Sequence, residues 1–372
     1  MLIGIPTVDA ATAAKIDNDP DNINRMLPIW NAAKARMLSG VENARILGVG
    51  DSTMFGYGAA GVTFAGNLKD KAYLSELVKR NTGYSYQSTF GNNDAAAINR
   101  FPGADTRVNP GSWVISGGTK IGIGQYPYLA TAAATYAFTP TTQFDTIEIF
   151  YLSDPTFGTY TVNVDGGASL GTINCAQATA FRKQTYTVAL GLHTINCVWA
   201  TGNAYIGGIV VYNSAVKEVS VINAGAAGAK IADYASPPSM ALAYSPLNSL
   251  PVVLPHLILV GFTINDTQSL TNLDTYGNNL QKAINAGKAI NADHLFITGV
   301  PGDPATRQPQ AVQQLYINKF KSVAAANNIP VLDMFNVFGN YATANARGLM
   351  IDAVHFNYSG HLLYQNYLNK VL

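Results

Sequence analysis

Apolar residues recur along this chain in two rhythms, and the switch between them divides it into three stretches. The first stretch is helical and then mixed. Residues 28–37 predict a helix, since Leu27, Ile29, Trp30 and Ala33 fall at helical spacing. Residues 44–50 form a short apolar run closed by Gly50-Asp51-Ser52-Thr53, the pattern of a buried strand in a parallel sheet. A helix is expected over residues 67–80, with Leu68, Ala72, Leu74, Leu77 and Val78 on or near one face.

From about residue 92 to residue 213 the helical period disappears. Strands are predicted at residues 112–116, 146–152, 159–164, 185–190 and 206–212, punctuated by turns such as Asp165-Gly166-Gly167. Short strands at regular spacing with Gly, Asn and Pro turns indicate an antiparallel sandwich or jelly roll. Helix and strand then alternate again. Strands are expected at residues 218–223, 257–261, 294–299 and 329–333, with helices over 276–291, 308–327 and 359–370. The economical reading is one doubly wound α/β domain, residues 1–92 and 216–372, interrupted by a β-sandwich over residues 93–215. Residues 1–40 make an N-terminal extension and helix.

Composition narrows the class. With 48% hydrophobic and 12% charged residues, 34 Gly and 20 Tyr, the chain can bury a large core and is not of the charge-rich, disordered kind. A net charge of +1 without any Lys/Arg run argues against a nucleic-acid partner. No stretch approaches the ~18 apolar residues of a membrane span, and the first ten residues lack the basic start of a signal peptide. Cys175 and Cys197 close two near-copied segments, Thr172-Ile-Asn-Cys175 and Thr194-Ile-Asn-Cys197. Both segments read as strands, and free buried thiols are the favoured expectation over a bridge.

In an open parallel sheet the ligand crevice lies beyond the carboxyl ends of the strands. The residues there are Asp51-Ser52 after the first strand, Asn223 to Gly228 after the second, Asn265-Asp266 after the third, and Asp352-Ala-Val-His355 before the last helix. A serine hydroxyl needs a base, and the base works best when a carboxylate holds its other ring nitrogen. Among His193, His256, His294, His355 and His361, only His355 has an acid three residues earlier. Asp51 and Asp266 read as turn residues, Asn92 and Asn93 as loop chemistry, and His193 and His294 as ordinary satisfied histidines at strand edges. No His/Cys/Asp/Glu cluster has metal-ligand spacing, so no metal and no organic cofactor is expected.

Each motif alone is common, but the four in this order resemble the blocks of the SGNH/GDSL hydrolases. The resemblance covers roughly residues 40–92 and 216–372, and it implies a flavodoxin-like three-layer α/β/α fold and serine esterase activity. It assigns Ser52 as nucleophile, His355 as base, Asp352 as its orienting acid, and Ser52, Gly228 and Asn265 as oxyanion donors. Donors of this kind are worth about 3–4 kcal/mol each. The third block is usually a tight Gly-x-Asn-Asp; here Phe262, Thr263 and Ile264 separate Gly261 from Asn265. No Gly-x-Ser-x-Gly elbow of an α/β-hydrolase is present.

The central segment is similar to the jelly-roll carbohydrate-binding modules of some GDSL-type esterases from bacteria and phage tails. That similarity implies an acetylated polysaccharide as substrate and an extracellular or virion-surface setting, the cytoplasm remaining open. Trp113, Tyr126 and Tyr128, with Tyr136, Tyr151 and Tyr160, are then candidates for stacking on sugar. Two rival functions stay open, a lipase, arylesterase or thioesterase and a non-catalytic glycan-binding virion protein.

Overall fold

A computed structural model describes residues 18–61, 68–90, 105–116, 121–125 and 127–372. The lead-in before residue 18, Asn92, Asn93 and Tyr126 lie outside them. Two short helices, α1 (Pro20–Arg25) and α2 (Pro28–Leu38), begin the described chain, each opened by a proline, whose missing N–H would have had no helical partner there. Strand β1 (Ala44–Gly50) leads into the single-turn α3 (Ser52–Phe55).

Where one helix is expected over residues 67–80 there are two, α4 (Leu68–Lys71) and α5 (Tyr73–Lys79), with Ala72 extended between them at φ −62° and ψ 150°. Every residue from Ala72 to Leu77 is buried, more than one helical stripe can cover. The break leaves the Lys69 carbonyl outside a continuous helical ladder, and the Ser75 hydroxyl donates to it.

The chain then crosses β2 (Tyr84–Ser85) and the antiparallel strands β3 (Val108–Asn109), β4 (Val114–Ile115), β5 (Tyr128–Ala130), β6 (Thr135–Phe138), β7 (Phe144–Ser153), β8 (Thr159–Val164), β9 (Ser169–Asn174), β10 (Ala180–Gly191), β11 (Ile195–Thr201) and β12 (Ala204–Tyr212). The α/β part resumes with β13 (Val219–Asn223), α6 (Ile231–Ala235), α7 (Pro246–Val253), β14 (Leu257–Gly261), α8 (Ile264–Gln268), α9 (Leu273–Ala289) and β15 (Asp293–Ile297). It ends with α10 (Gln310–Ala326), β16 (Val331–Leu332), α11 (Met334–Phe338), α12 (Tyr341–Ala346) and α13 (Tyr358–Val371).

The parallel sheet has the order β16-β15-β14-β1-β13-β2. Its five principal strands therefore run second, first, third, fourth and fifth, the flavodoxin-like order, whose topological switch point lies between β1 and β14. Register there pairs Ile46 with Leu257 and Gly50 with Gly261.

Two five-stranded antiparallel sheets, β10-β7-β12-β5-β4 and β3-β6-β11-β8-β9, make a sandwich. Its core takes Trp113, Tyr136, Tyr160, Cys175 and Cys197. Both thiols are free. Strand β8 lies between β9 and β11 in the sheet, so the two copied segments are not neighbours.

Alternation along β7 shows how the sandwich meets the rest. Ile147, Ile149 and Tyr151 point into the sandwich core, whereas Phe150 and Leu152 join Leu47, Val49 and Ile222 of the parallel sheet in the largest core. Both faces of β7 are covered, so the sandwich keeps a core of its own and packs its other face into a core shared with the parallel sheet.

A buried ion cluster ties the same junction. Arg45 on β1 reaches Glu148 on β7 at 2.8 Å and also donates to the Val253 carbonyl at 2.6 Å, while Lys183 on β10 reaches Glu148 at 2.6 Å. Burial alone would raise the Glu148 carboxyl, but Arg45 and Lys183 hold it below the ordinary glutamate value. A depressed carboxyl stabilises the fold above its unfolded pKa, and that contribution is lost as pH falls through the folded value. Glu148→Gln leaves two cations without their acid and is expected to cost about 3 kcal/mol at neutral pH. Denaturant unfolding at pH 7 and pH 4 checks this: the parent should lose stability relative to the variant on acidification, and equal midpoints at pH 7 would contradict the account.

Candidate active site

Three strand ends build the site at the switch point. The Gly50 carbonyl accepts from Ala226 N–H at 2.9 Å on one side, and Asp51 N–H donates to the Gly261 carbonyl at 3.2 Å on the other. The end of β1 is thereby locked to the loop after β13 and to the last residue of β14. Asp51 caps α3 by accepting from Thr53 N–H at 2.9 Å, the turn role its sequence suggests. It is buried, and burial pushes its carboxyl up to about 6 despite hydrogen bonds from Thr53 and Ile264 and the nearby His355.

Ser52 is the first residue of α3 and is 5% exposed. Its Oγ lies 2.9 Å from His355 Nε2, and His355 Nδ1 lies 2.8 Å from Asp352 Oδ2. The other Asp352 oxygen accepts from the N–H groups of Val354 and His355, both at 2.8 Å. Burial would raise Asp352, but the hydrogen bonds from the His355 side chain and from these two N–H groups bring it down to about 2. An ionised Asp352 can only accept, so Nδ1 carries the proton of a neutral imidazole and Nε2 is left to accept from the serine hydroxyl. The spacing of three residues works because the chain doubles back between them: Ile351 N–H donates to the His355 carbonyl at 2.9 Å. Asn357 anchors the loop, its amide reaching the Gly348 carbonyl at 2.8 Å while its oxygen caps α13.

The other two expected donors lie in the loop after β13 and in the first turn of α8. Gly228 is exposed, has φ +76° with open space around it, and makes no backbone hydrogen bond through its N–H among the described residues. Asn265, in the first turn of α8, donates to the Ala229 carbonyl at 3.0 Å. Next to it Asp266 accepts from Ile231 N–H at 2.9 Å and is pushed up to about 7 by burial. These bonds dock the third block on the second, so the three residues intervening after Gly261 serve to start α8 where Asn265 can reach the loop.

Several sugar-stacking candidates are corrected. Trp113, Tyr136, Tyr151 and Tyr160 are all buried in the sandwich core, because strand alternation turns them inward. Tyr128 packs against the same core with its ring 5.0 Å from Tyr136. Tyr126 is outside the described residues. His294 is buried over Gly287 rather than at an exposed edge; it has a hydrogen bond with the Ala283 backbone while its Nε2 has no partner among the described residues, and burial lowers it to about 4, so it is neutral. His193 does find partners, Asp165 at 2.6 Å and the Ala189 carbonyl at 3.0 Å. Among the described residues no group of three or more His, Cys, Asp or Glu is placed to hold a metal ion, and no helix is long and apolar enough to cross a membrane.

Fold and sequence comparisons make the chain a carboxylic ester hydrolase with an SGNH-type core. Residues 201–363 match the model of the GDSL-like Lipase/Acylhydrolase family. A solved structure described as a peptidoglycan O-acetylesterase in action is similar at 18% identity and TM-score 0.66, over 95% of this chain and 96% of that one. That coverage takes in the sandwich as well as the parallel sheet. The lipase/acylhydrolase from Enterococcus faecalis is similar at 25% identity over 41% of this chain and 75% of its own, with TM-score 0.34. For the acetyl xylan esterase AlAXEase the values are 18%, 41%, 79% and 0.34. No curated protein matches the sequence.

Sequence reasoning passed over the segment Gly56-Tyr57-Gly58, whose paired glycines were the available signal. Both have positive φ, +110° and +87°, and a Cβ on Gly58 would lie 2.1 Å from the Phe356 carbonyl oxygen. The turn after α3 thus runs directly under the loop that carries His355. Gly58→Ala is expected to push that loop away, lowering thermal stability by several degrees and ester turnover at least about a hundredfold. Melting and p-nitrophenyl acetate hydrolysis check it, and a variant equal to the parent in both would show that the close approach does not matter.

Proposed function

We propose that this protein is a serine esterase that removes O-acetyl groups from a polysaccharide. The observation that carries the reading is the unbroken chain from Ser52 Oγ through His355 to Asp352, at 2.9 and 2.8 Å, at the switch point where such a fold binds its ligands. Ser52 Oγ attacks the acetyl carbonyl as His355 Nε2 takes its proton. The carbonyl π electrons move to oxygen, and the oxyanion is met by the N–H groups of Ser52 and Gly228 and the amide of Asn265. Collapse expels the sugar oxygen, which takes the proton from His355. Water then attacks the acetyl-serine by the same route in reverse, releasing acetate and restoring Ser52. Asp352 stays ionised throughout, holding the imidazolium.

One observation supports the substrate class, and a second bears on how the insert is fixed. The full-length likeness is to a structure described as a peptidoglycan O-acetylesterase. In addition, the loop residues Ile121 and Ile123 and the strand residues Phe150 and Phe181 join the main core, and Gly122 N–H donates to the Tyr244 carbonyl at 2.7 Å. In the domain division we propose, residues 93–215 are an insert in a hydrolase formed by 1–92 and 216–372, and the insert acts as a wall of the substrate crevice that contacts glycan beside the scissile ester. The assembled triad speaks against a purely glycan-binding virion protein.

Acetate release from acetylated polysaccharides, compared with hydrolysis of p-nitrophenyl acetate, tests the proposal. Ser52→Ala and His355→Ala are expected to lower kcat by about four to six orders of magnitude on both substrates with the fold intact, since the two residues act as one unit. Retention of a tenth of parental kcat in either variant would remove the assignment. Turnover of the small ester without acetate release from any polymer would favour the small-ester reading instead.

A further inference from the structure

Tyr57 takes no part in the hydrogen-bond chain, yet its surroundings fix it against His355. The two ring centroids are 4.0 Å apart with the planes inclined at 37°. Tyr57 N–H donates to the Ser52 carbonyl at 2.9 Å, and the Tyr57 carbonyl accepts from His361 Nε2 at 3.0 Å. His361 is fully buried, and burial lowers it to about 3. It is therefore a neutral imidazole whose one proton sits on the nitrogen facing the carbonyl, an anchor unaltered by changes near neutral pH. Gly56 and Gly58 on either side adopt the left-handed backbone that lets the turn pass beneath Phe356. On its other side Tyr57 packs on the apolar cluster of Phe55, Leu68 and Ala227.

We propose that Tyr57 is a positioning residue of the esterase reaction, its ring holding the His355 imidazole in line with Ser52 and Asp352 and stabilising the imidazolium that forms when the serine proton is taken. An aromatic face attracts a cation more strongly than a neutral ring, so the contact strengthens along the reaction and acts on the transition state more than on the bound substrate. The inference rests on reading Ser52, His355 and Asp352 as the triad. Among the described residues, the charged and titratable groups around His355 are Asp352 on its own loop, Asp51 at the cap of α3 and the neutral His361 on α13. Both carboxyl groups stay in place when Tyr57 is replaced, so the ring's share can be read separately.

The test compares Tyr57→Leu, which removes the aromatic face, with Tyr57→Phe, which keeps it. Tyr57→Met, an unbranched side chain without a ring, replaces the first variant if leucine unfolds the turn. Each is measured by kcat and KM on p-nitrophenyl acetate and by an NMR titration of the His355 imidazole, which needs no turnover. Loss of the ring is expected to lower kcat about tenfold with KM within about twofold, and to move the imidazole titration to lower pH by about half a unit to one unit. Tyr57→Phe, which keeps the ring against His355, should retain most of the parental kcat and titration. An unmoved titration and unchanged kcat in Tyr57→Leu, or a loss in Tyr57→Phe equal to that in Tyr57→Leu, would overturn the inference. Failure of the underlying reading looks different: Ser52→Ala would then keep its turnover whatever the titration does.

Discussion

Between Gly50 and Gly261 two strand ends approach so closely that a side-chain carbon on residue 50 would lie 2.7 Å from the Gly261 carbonyl oxygen. The approach occurs at the switch point of the sheet, where β1 must part from both neighbours. Asp51 N–H and the Gly50 carbonyl turn to opposite sides and bind the last residue of β14 and the loop that follows β13. Everything in the site descends from this arrangement. It starts α3 at Ser52 and holds the loop after β13 on one side of β1 and the end of β14 on the other, while the C-terminal loop brings His355 to Ser52.

Side chains behind the site reinforce that geometry. Asn223, at the end of β13, donates to the Met54 carbonyl at 2.7 Å and accepts from Gly225 N–H at 3.0 Å, tying the loop after β13 to the turn that carries Ser52. Lys69 is wholly buried and donates to the carbonyls of Phe90 and Asn223 at 3.3 and 3.2 Å with its ammonium over the Phe55 ring. It therefore touches the chain where it leaves for the sandwich, the end of the strand that follows it, and the helix of Ser52. Burial lowers Lys69 to about 7. Together with the ion cluster around Glu148, these contacts make the sandwich part of the frame that holds the Ser52 turn.

Much of this was legible in the residue pattern, for identifiable reasons. Residues 159–164 and 257–261 form strands with the expected bounds, since alternation and an uninterrupted apolar run each specify a strand when turn residues flank it. Asp352 and His355 do meet, and their spacing was readable because a three-residue reach is local. Less local facts were hidden. Alternation along residues 146–152 tells which side chains share a face but not what covers it, so the second buried face of β7 and the inward turn of Trp113 and Tyr160 could not be read. The break at Ala72 frees the Lys69 carbonyl for Ser75, while the Lys69 ammonium finds its partners in distant segments. Tyr57 escaped notice because its importance comes from a loop some 300 residues further along the chain, a separation that spacing arguments do not bridge.

The central claim is that Ser52 becomes acylated with His355 as its base, and trapping the intermediate tests it most directly. The protein would be mixed with p-nitrophenyl acetate, quenched in acid within the first turnovers, digested and analysed by mass spectrometry. The account predicts an acetyl group on the peptide containing Ser52, on the hydroxyl of that residue, and no such adduct in His355→Ala. Acetylation of a different residue, or steady turnover with Ser52 never modified, would contradict it.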